Sequence, residues 1–334
     1  MRAVQITEFG DPDRLAIADV ADPRPGPGQV LIRVAAASVN RADLLVRSGR
    51  YHTLPPLPTV PGAEAAGVVE AVGADVSGVD VGDRVLAWGS TGCYAELVAT
   101  DAAKVVPVPA DVSMPVAAAL PIAWLTARYC VRELGRVRPG QVVLVHAAAS
   151  GVGTAAVQTA RADGAEVIGV VGSPDKEALA KELGAAHVLR RDRDDVLAEV
   201  RRITDGAGAD VVLDLAGGET FALSLHTVAA GGRVVALANV AGASSVVDTR
   251  DFYPKNVSIH GFQFTNLQRL GWDPRPDLRL LLGEVAEGRF TVPIDTAFPL
   301  EEAATAHRRL ESDRSRGKVV LTVDSTQVAG EEPR

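Results

Sequence analysis

Residues 141–171, QVVLVHAAASGVGTAAVQTARADGAEVIGVV, restrict the fold more than any other part of the chain. A Val-rich run meets a patch of Ala, Ser and Gly, then a segment with helical spacing, then a second apolar run. The pattern continues through DKEALAKELG, HVLR, DVLAEVRRIT, ADVVLDL, ETFALSLHTVA and GRVVAL, so that apolar strands and helical segments alternate strictly. Such alternation implies a parallel sheet with helices on both faces, because parallel strands need a crossover and the helix supplies it. The first hundred or so residues have another rhythm. Short Val, Ile and Ala runs (QVLIRVAAASV, EAAGVVEAVG, DRVLAW, YAELVA) are punctuated by Gly and Pro, as in a small all-β module. After about residue 262 come a helical pattern, DLRLLLGEVAEG, a short strand near PIDTAF, a helix, LEEAATAHRRLESD, and the strand GKVVLTV. The polar tail STQVAGEEPR is expected to be disordered. The expected fold class is α/β: a β-rich module combined with a doubly wound parallel sheet.

With 334 residues, 47% of them hydrophobic, the chain is long enough for two domains that each bury a core. A formal net charge of −8 provides no basic surface with which to neutralise a phosphate backbone, which argues against nucleic acid as a partner. No stretch reaches the ~18 apolar residues of a membrane span. The opening MRAVQITEFGDPDRLAI places acids and a Pro where a signal peptide needs an apolar core, so a cytoplasmic protein with no membrane partner is expected. Two cysteines, Cys93 and Cys130, are too few for a disulfide framework, which fits a reducing compartment.

The small-residue turn after the first strand of the series carries the first chemistry. Val142 to His146 read as the strand, and the helix opens at Gly151. Ala148, Ser150, Gly151 and Gly153 keep the turn small, so that backbone N–H groups and the helix N-terminus can approach a pyrophosphate. Ala148, Ser150, Gly151, Val152 and Gly153 are therefore the expected dinucleotide contacts. About twenty residues on, NAD-selective units place an Asp or Glu that holds the adenosine 2′-OH. Here that position falls at Val171, Gly172 or Ser173. Gly172 leaves space, Ser173 offers a hydroxyl, Lys176 a cation, and Arg191, at the end of HVLRR, reaches the same edge of the sheet. These groups suit a 2′-phosphate, which an acid would repel, so NADPH is the expected cofactor. Asp175 is the one nearby acid that would blunt the preference by turning inward.

Across nearly its whole length the chain resembles the zinc-free quinone oxidoreductase (zeta-crystallin-like) branch of the medium-chain dehydrogenase/reductase superfamily. The motifs that carry the resemblance are PRPGPGQVLIRVAAASVNRADLLVRSGRY, LPTVPGAEAAGVVEAVGADVSGVDVGDRV, GCYAELVA, LTA at 125–127, the Ala-x-x-Gly-x-Gly turn at 148–153, AAHVL, and EEAATAHRRLESDRSRGKVVLTV. The resemblance implies a GroES-like β-rich catalytic domain over 1–122, a Rossmann NADPH-binding domain over 123–263 inserted in it, and a return to the catalytic domain over 264–334. It also implies an active site between the two domains, with closure over the cofactor to exclude water. Homodimerisation through the strand near VSIHGFQ is implied as well, an arrangement that would cover an otherwise unpaired edge.

The zinc-dependent relatives carry a Cys ligand near VNRAD and a Gly-His-Glu after the Pro, where this chain reads Asn40-Arg41-Ala42-Asp43 and Pro61-Gly62-Ala63-Glu64. A catalytic zinc needs about three converging protein ligands, and two distant cysteines with six scattered histidines offer no such spacing, so no metal is expected. Without a metal, the reaction suits acceptors already electron-poor by conjugation: a quinone, enone or enal. By resemblance, Asn40 and Tyr51 line the catalytic site, where both can donate a hydrogen bond to developing negative charge and Tyr51 can supply a proton. Thr126, in LTA, is placed against the nicotinamide carboxamide.

Asn239, Phe262, Phe264, Asn266, Lys255 and Lys318 are further candidates, the first four after late strands of the sheet and the lysines as phosphate contacts. Asp43 and Arg47, four apart, read as a structural ion pair, Glu64 as a catalytic group or, in preference, the cap of a buried turn, and His146 as a hydrogen-bonded structural histidine in preference to a ligand or general base. Trp124 stands where relatives often have Gly; narrowing of a pocket, a stacking surface and a core position all remain open. The leading expectation is an NADPH-dependent reductase of quinones or α,β-unsaturated carbonyls. The alternatives are an enoyl-thioester reductase, for which Arg41, Arg47 and Arg50 are the available cations, and a non-catalytic NADPH-binding structural or regulatory protein.

Overall fold

The computed structural model describes residues 1–89 and 91–323, which divide into two compact units, 1–122 with 273–323 and 123–272. The tail expected to be disordered lies outside the described residues.

In chain order, the first unit opens with an antiparallel pair, β1 (Arg2–Gln5) and β2 (Ala16–Asp19). There follow β3 (Gln29–Val39), α1 (Arg41–Arg47), β4 (Glu64–Val72), β5 (Arg84–Trp88), β6 (Leu97–Asp101), β7 (Val105–Pro107) and α2 (Met114–Ala119). After α3 (Pro121–Tyr129), the second unit contains β8 (Val142–Val145), α4 (Gly151–Ala162), β9 (Glu166–Val171), α5 (Pro174–Glu182), β10 (His187–Arg190), α6 (Val196–Ile203), β11 (Ala209–Asp214), α7 (Glu219–Thr227), β12 (Val228–Ala236), β13 (Ser258–Gly261) and α8 (Phe264–Arg269). The chain re-enters the first unit with α9 (Arg275–Ala286), β14 (Ile294–Pro299), α10 (Ala303–Glu311) and β15 (Lys318–Thr322).

The spine of the first unit is β3, eleven residues long. Along one edge it pairs with β6 over Gln29–Arg33 and with β15 over Ala36–Val39; β4 takes the other edge, and β5 and β7 extend that side. The β3–β4 register shifts twice, between Leu31 and Ile32 and between Val34 and Ala36, and such irregularities bend a strand and let a sheet curl. Alternate residues of the curl, including Val30, Ile32, Val34, Val69, Val85, Val98 and Leu321, meet in one core. Gly67 marks a close approach in this sheet: a Cβ there would lie 2.0 Å from the Arg33 carbonyl oxygen, so only hydrogen fits.

The second unit is a six-stranded parallel sheet of order β10-β9-β8-β11-β12-β13. Its strands are Val- and Ile-rich because helices bury them on both faces, with Leu144, Ile168, Val212, Val234 and Leu225 in the core. Strand order reverses between β8 and β11, so the carboxyl ends of these two strands mark the place where doubly wound sheets bind ligands. This unit runs past the expected boundary at 263 to Trp272, because the edge of Phe264 packs on Trp272 at 5.6 Å and Trp272 on Tyr129 at 5.2 Å. Among the described residues no helix is long and apolar enough to cross a membrane.

Gly67→Ala is expected to cost roughly 1–3 kcal/mol, because a backbone carbonyl cannot give way as a flexible side chain does. A fall in the urea midpoint at unchanged slope would register it.

Candidate active site

Three strand ends converge in the first unit. Val39, the last residue of β3, sits opposite Val319 of the antiparallel β15, so Asn40, which follows Val39, and Lys318, which precedes Val319, come together. Glu64 opens β4, one residue before the Ala37–Ala65 pair. The Asn40 Nδ2 donates to Glu64 Oε1 at 2.8 Å, and the Lys318 Nζ donates to Asn40 Oδ1 at 2.7 Å and to the same Glu64 oxygen at 3.0 Å. The other Glu64 oxygen accepts the Ile122 amide at 2.6 Å. Glu64 and Lys318 are buried and Asn40 is half-buried. Glu64 thus holds a buried turn, as expected, and adds an ion pair that its sequence neighbours do not reveal. Lys318, expected to contact a cofactor phosphate, instead has its ammonium enclosed between Glu64 and Asn40.

A second buried chain starts from the same asparagine. Asn40 precedes α1, and its amide donates to Asp43 Oδ2 at 2.8 Å. The Tyr94 hydroxyl donates to that oxygen at 3.2 Å, His307 Nε2 lies 3.4 Å from the hydroxyl, and Arg47 Nη1 lies 3.4 Å from His307 Nδ1. Arg47 donates onward to Glu311 at 2.5 Å and to the Gly10 carbonyl at 3.1 Å. The expected Asp43–Arg47 pair is therefore not formed: although α1 contains both residues, each turns to a different element. Because arginine can only donate, His307 accepts at Nδ1 and carries its proton on Nε2. Burial pushes the Asp43 carboxyl up to about 7, the Asn40 amide opposing and the Glu64 carboxylate reinforcing that push. Burial, with Arg47 beside it, holds His307 down at about 3. Tyr51 follows α1, with its ring centroid 4.1 Å from that of His52 and its amide on the Leu45 carbonyl.

In the second unit, the turn after β8 is built for a close approach. Ala147 adopts a positive φ of 50°, a conformation that small turn residues usually supply and that nothing in the sequence signalled. The Ser150 hydroxyl caps α4 by accepting from the Gly153 amide at 3.1 Å. A Cβ on Gly153 would lie 2.1 Å from the Ala147 carbonyl oxygen, so glycine is what lets the helix start against the strand. Gly151 and Val152 open the helix, where amides have no intrahelical partner and point outward. A dinucleotide pyrophosphate fits this cradle. His146 is buried, with Nε2 lacking a partner among the described residues, and burial lowers it to about 4 against the pull of Asp214. The expected hydrogen-bonded histidine is thus hydrogen-bonded only through its backbone, whose amide donates to the Leu213 carbonyl. Asp214, which sequence reasoning passed over, accepts the amides of Ala216 and Gly217 at 2.8 Å each and the Ser224 hydroxyl at 3.1 Å, fixing the loop after β11.

At the carboxyl end of β9, Arg191 lies over Gly172, whose added Cβ would stand 3.2 Å from two guanidinium nitrogens. Arg190 is bound to Asp192 and Arg193 to Asp194, while no carboxylate binds Arg191 among the described residues. Ser173 precedes α5, and Lys176 is half-buried on its first turn. Asn239 stands over Gly217 and donates to the Ala243 carbonyl at 3.0 Å. Thr126 is buried in α3, and Trp124 is fully buried, which settles its place in the core. Phe264 is buried against Trp272, and Phe262 packs on Tyr129 at 5.7 Å; both aromatics belong to this cluster, and the Asn266 amide donates to the Gln263 side chain that caps α8. Lys255 donates to the carbonyls of Leu225 and Val228 at the end of α7, which removes it as a phosphate contact.

No group of three or more His, Cys, Asp or Glu side chains is placed to hold a metal among the described residues. Cys93 and Cys130 are buried, and burial pushes both thiols up, away from the thiolate a zinc ion requires. The donors present do not fit a catalytic zinc.

A family model described as a zinc-binding dehydrogenase matches residues 151–278, and one described as an alcohol dehydrogenase GroES-like domain matches residues 26–110. The quinone oxidoreductase of Pseudomonas aeruginosa is 36% identical over 327 residues, 96% of this chain and 99% of that protein. A phthioceranic/hydroxyphthioceranic acid synthase of Mycobacterium tuberculosis is 36% identical over 335 residues, 97% of this chain but only 15% of the synthase. Two solved structures are similar throughout: an NAD-dependent alcohol dehydrogenase (36% identity, 97% and 100% of the two chains, TM-score 0.89) and Escherichia coli quinone oxidoreductase complexed with NADPH (30%, 97% and 100%, TM-score 0.90).

The buried groups make the pH dependence of stability testable. Asp43 is raised from an ordinary value of 3.8 to about 7, so its protonated form stabilises the fold, fully below about pH 4 and progressively less as pH rises to 7. His146 and His307 act oppositely: their contribution is complete above about pH 6.5 and is lost as pH falls toward 4 and 3. Asp43→Asn, which mimics the protonated acid, is expected to match wild type near pH 4 and to gain on it as pH rises, by roughly 2–4 kcal/mol at pH 7.5. Urea unfolding at several pH values measures this; parallel curves would refute a titrating Asp43.

Proposed function

We propose, on the premise that this chain belongs to the medium-chain dehydrogenase/reductase superfamily and to its zinc-free quinone oxidoreductase branch, that it reduces a quinone or α,β-unsaturated carbonyl with NADPH. Membership makes it an NAD(P)H-dependent oxidoreductase with a dinucleotide-binding unit. The observation that carries the choice of NADPH is the end of β9, where Gly172 and Ser173 stand in place of an acid and the Arg191 guanidinium lies over Gly172 with no carboxylate bound to it among the described residues. A 2′-phosphate is the natural counterion for such a group. The amides opening α4 would hold the pyrophosphate, and Ser173 and Lys176 the adenosine end. The reduced nicotinamide supplies a hydride when bound.

Two residues of this chain serve the acceptor. Asn40 donates a hydrogen bond through Nδ2 to the acceptor oxygen as negative charge develops on it, and Tyr51 donates the proton that completes the reduction. A neutral carboxamide polarises less than a metal ion does, which favours acceptors already activated by conjugation. A second reading, reduction of an enoyl thioester, is favoured by the match to the mycobacterial synthase. Against it, two of the three cations available for a phosphopantetheine are occupied: Arg41 binds Asp313 and Arg47 is buried against Glu311, while exposed Arg50 donates to the Ser48 hydroxyl. β13 closes the parallel sheet with an unpaired edge, and we propose that a second copy of the chain covers it. Sedimentation at micromolar concentration is expected to give a dimer.

Consumption of NADPH and NADH, measured in parallel with a simple quinone, a 2-enal and a short enoyl thioester, tests the reading. Faster turnover with NADPH on quinone or enal, undiminished by a chelator, is expected. Arg191→Ala should weaken NADPH binding about tenfold, the effect of losing one charge-assisted contact, with NADH within twofold. Equal losses for both cofactors would sink the assignment, and turnover of the thioester alone would favour the second reading.

A further inference from the structure

We infer that Glu64 and Lys318 are positioning residues, which lock the Asn40 carboxamide in one of its two orientations and present its free N–H to the acceptor. The inference rests on the reading of Asn40 given above. A carboxamide has ends of nearly equal shape and can turn over, exchanging its donor for its acceptor. At Asn40 the two neighbours forbid that exchange. Lys318 can only donate and meets Oδ1 at 2.7 Å; Glu64 can only accept and meets Nδ2 at 2.8 Å. The turned-over amide would set oxygen against carboxylate and N–H against ammonium, in a buried setting where such repulsions are poorly screened.

The third side of the ring, Lys318 to Glu64 at 3.0 Å, keeps both neighbours in place. The main chain is fixed independently, through the Asn40 amide on Asp43. Of the three side chains only Asn40 is not fully buried, so it is the member through which the ring can reach a substrate. Glu64 uses one of the two Nδ2 hydrogens, leaving the other for an acceptor oxygen. The ammonium on Oδ1 also draws electron density through the amide and strengthens that remaining donor.

The inference parts company with a phosphate-contact role for Lys318, and the test separates them. The full chain has four asparagines, so ¹⁵N-asparagine labelling yields four side-chain amide pairs, with that of Asn40 identified by its loss in Asn40→Ala. The variants are Glu64→Gln and, because Lys318→Met alone would strand a buried carboxylate, the neutral pair Glu64→Gln/Lys318→Met. In both, the Asn40 amide pair is expected to shift and to exchange with water faster than in wild type. Turnover of NADPH with quinone should fall about tenfold in kcat while NADPH affinity stays within twofold, the signature of a group that acts on the transition state and not on cofactor binding.

The losses should not add. In the Asn40→Ala background the neutral pair is expected to be no slower than Asn40→Ala alone, as for residues acting through one another. An unmoved Asn40 amide pair, additive losses, or a tenfold loss of NADPH affinity would each overturn the inference. If the wild-type protein reduces no quinone or enal, the proposed reaction fails, and the amide spectra still decide whether Glu64 and Lys318 set Asn40.

Discussion

A carboxylate removed from water must be met by donors from wherever the chain can bring them, and at Glu64 that requirement draws three strands and a helix to one point. Glu64 is fully buried. Its oxygens take the Ile122 amide in the first turn of α3, the Asn40 carboxamide after β3 and the Lys318 ammonium at the start of β15. An unpaired charge there would cost several kcal/mol, so these groups are fixed relative to one another far more tightly than apolar packing would fix them. The curl of the first unit delivers them: β3 is shared between β4 and β15, and its residual freedom is taken up by two register shifts.

The neighbouring chain from Arg47 through His307 and Tyr94 to Asp43 follows a single direction, every donor facing the aspartate. The chain is also buried, which holds the acid above its ordinary range against the donors that face it and, with Arg47 alongside, the imidazole below its own. It also ties α1, the loop before β6 and α10 together around the segment that carries Asn40 and Tyr51. The second unit relies on other physics. Its strands need no charge to cohere, and its distinctive features are backbone amides, a glycine that lets α4 abut β8, and the Arg191 guanidinium over Gly172. One unit thus orients side chains through buried polar networks, while the other offers main-chain dipoles on a rigid apolar sheet.

Much of the fold could be read from residue periodicity because its signals are local. A run such as VVLV followed by Ala-Ala-Ala-Ser-Gly specifies a strand, a tight turn and a helix within one window, and the alternation then restricts the sheet to a parallel one. The missing acid after β9 was likewise legible, since the relevant position lies at a near-constant spacing from the turn. What escaped were partners separated by long stretches of chain. Asp43 and Arg47 looked like a pair because four residues separate them, yet Asp43 is taken by the Asn40 amide and Tyr94, and Arg47 by Gly10, His307 and Glu311. Lys255 and Lys318 looked like phosphate contacts because a lysine near a predicted loop resembles any exposed cation, whereas both are taken by oxygens within the fold.

The sequence by itself determined the fold class, the place of the dinucleotide turn and the membership of the chain in its superfamily, because each rests on patterns within a few tens of residues. Only the tertiary structure decided that Lys318 donates to Asn40, that Tyr94 and His307 support Asp43, that Trp124 belongs to a core, and that, among the described residues, Arg191 alone of three neighbouring arginines lacks a carboxylate. The reason is physical: side-chain ionic and hydrogen-bond partners are chosen by distance and burial, and both are set by strand register, which a linear pattern of residue types does not encode.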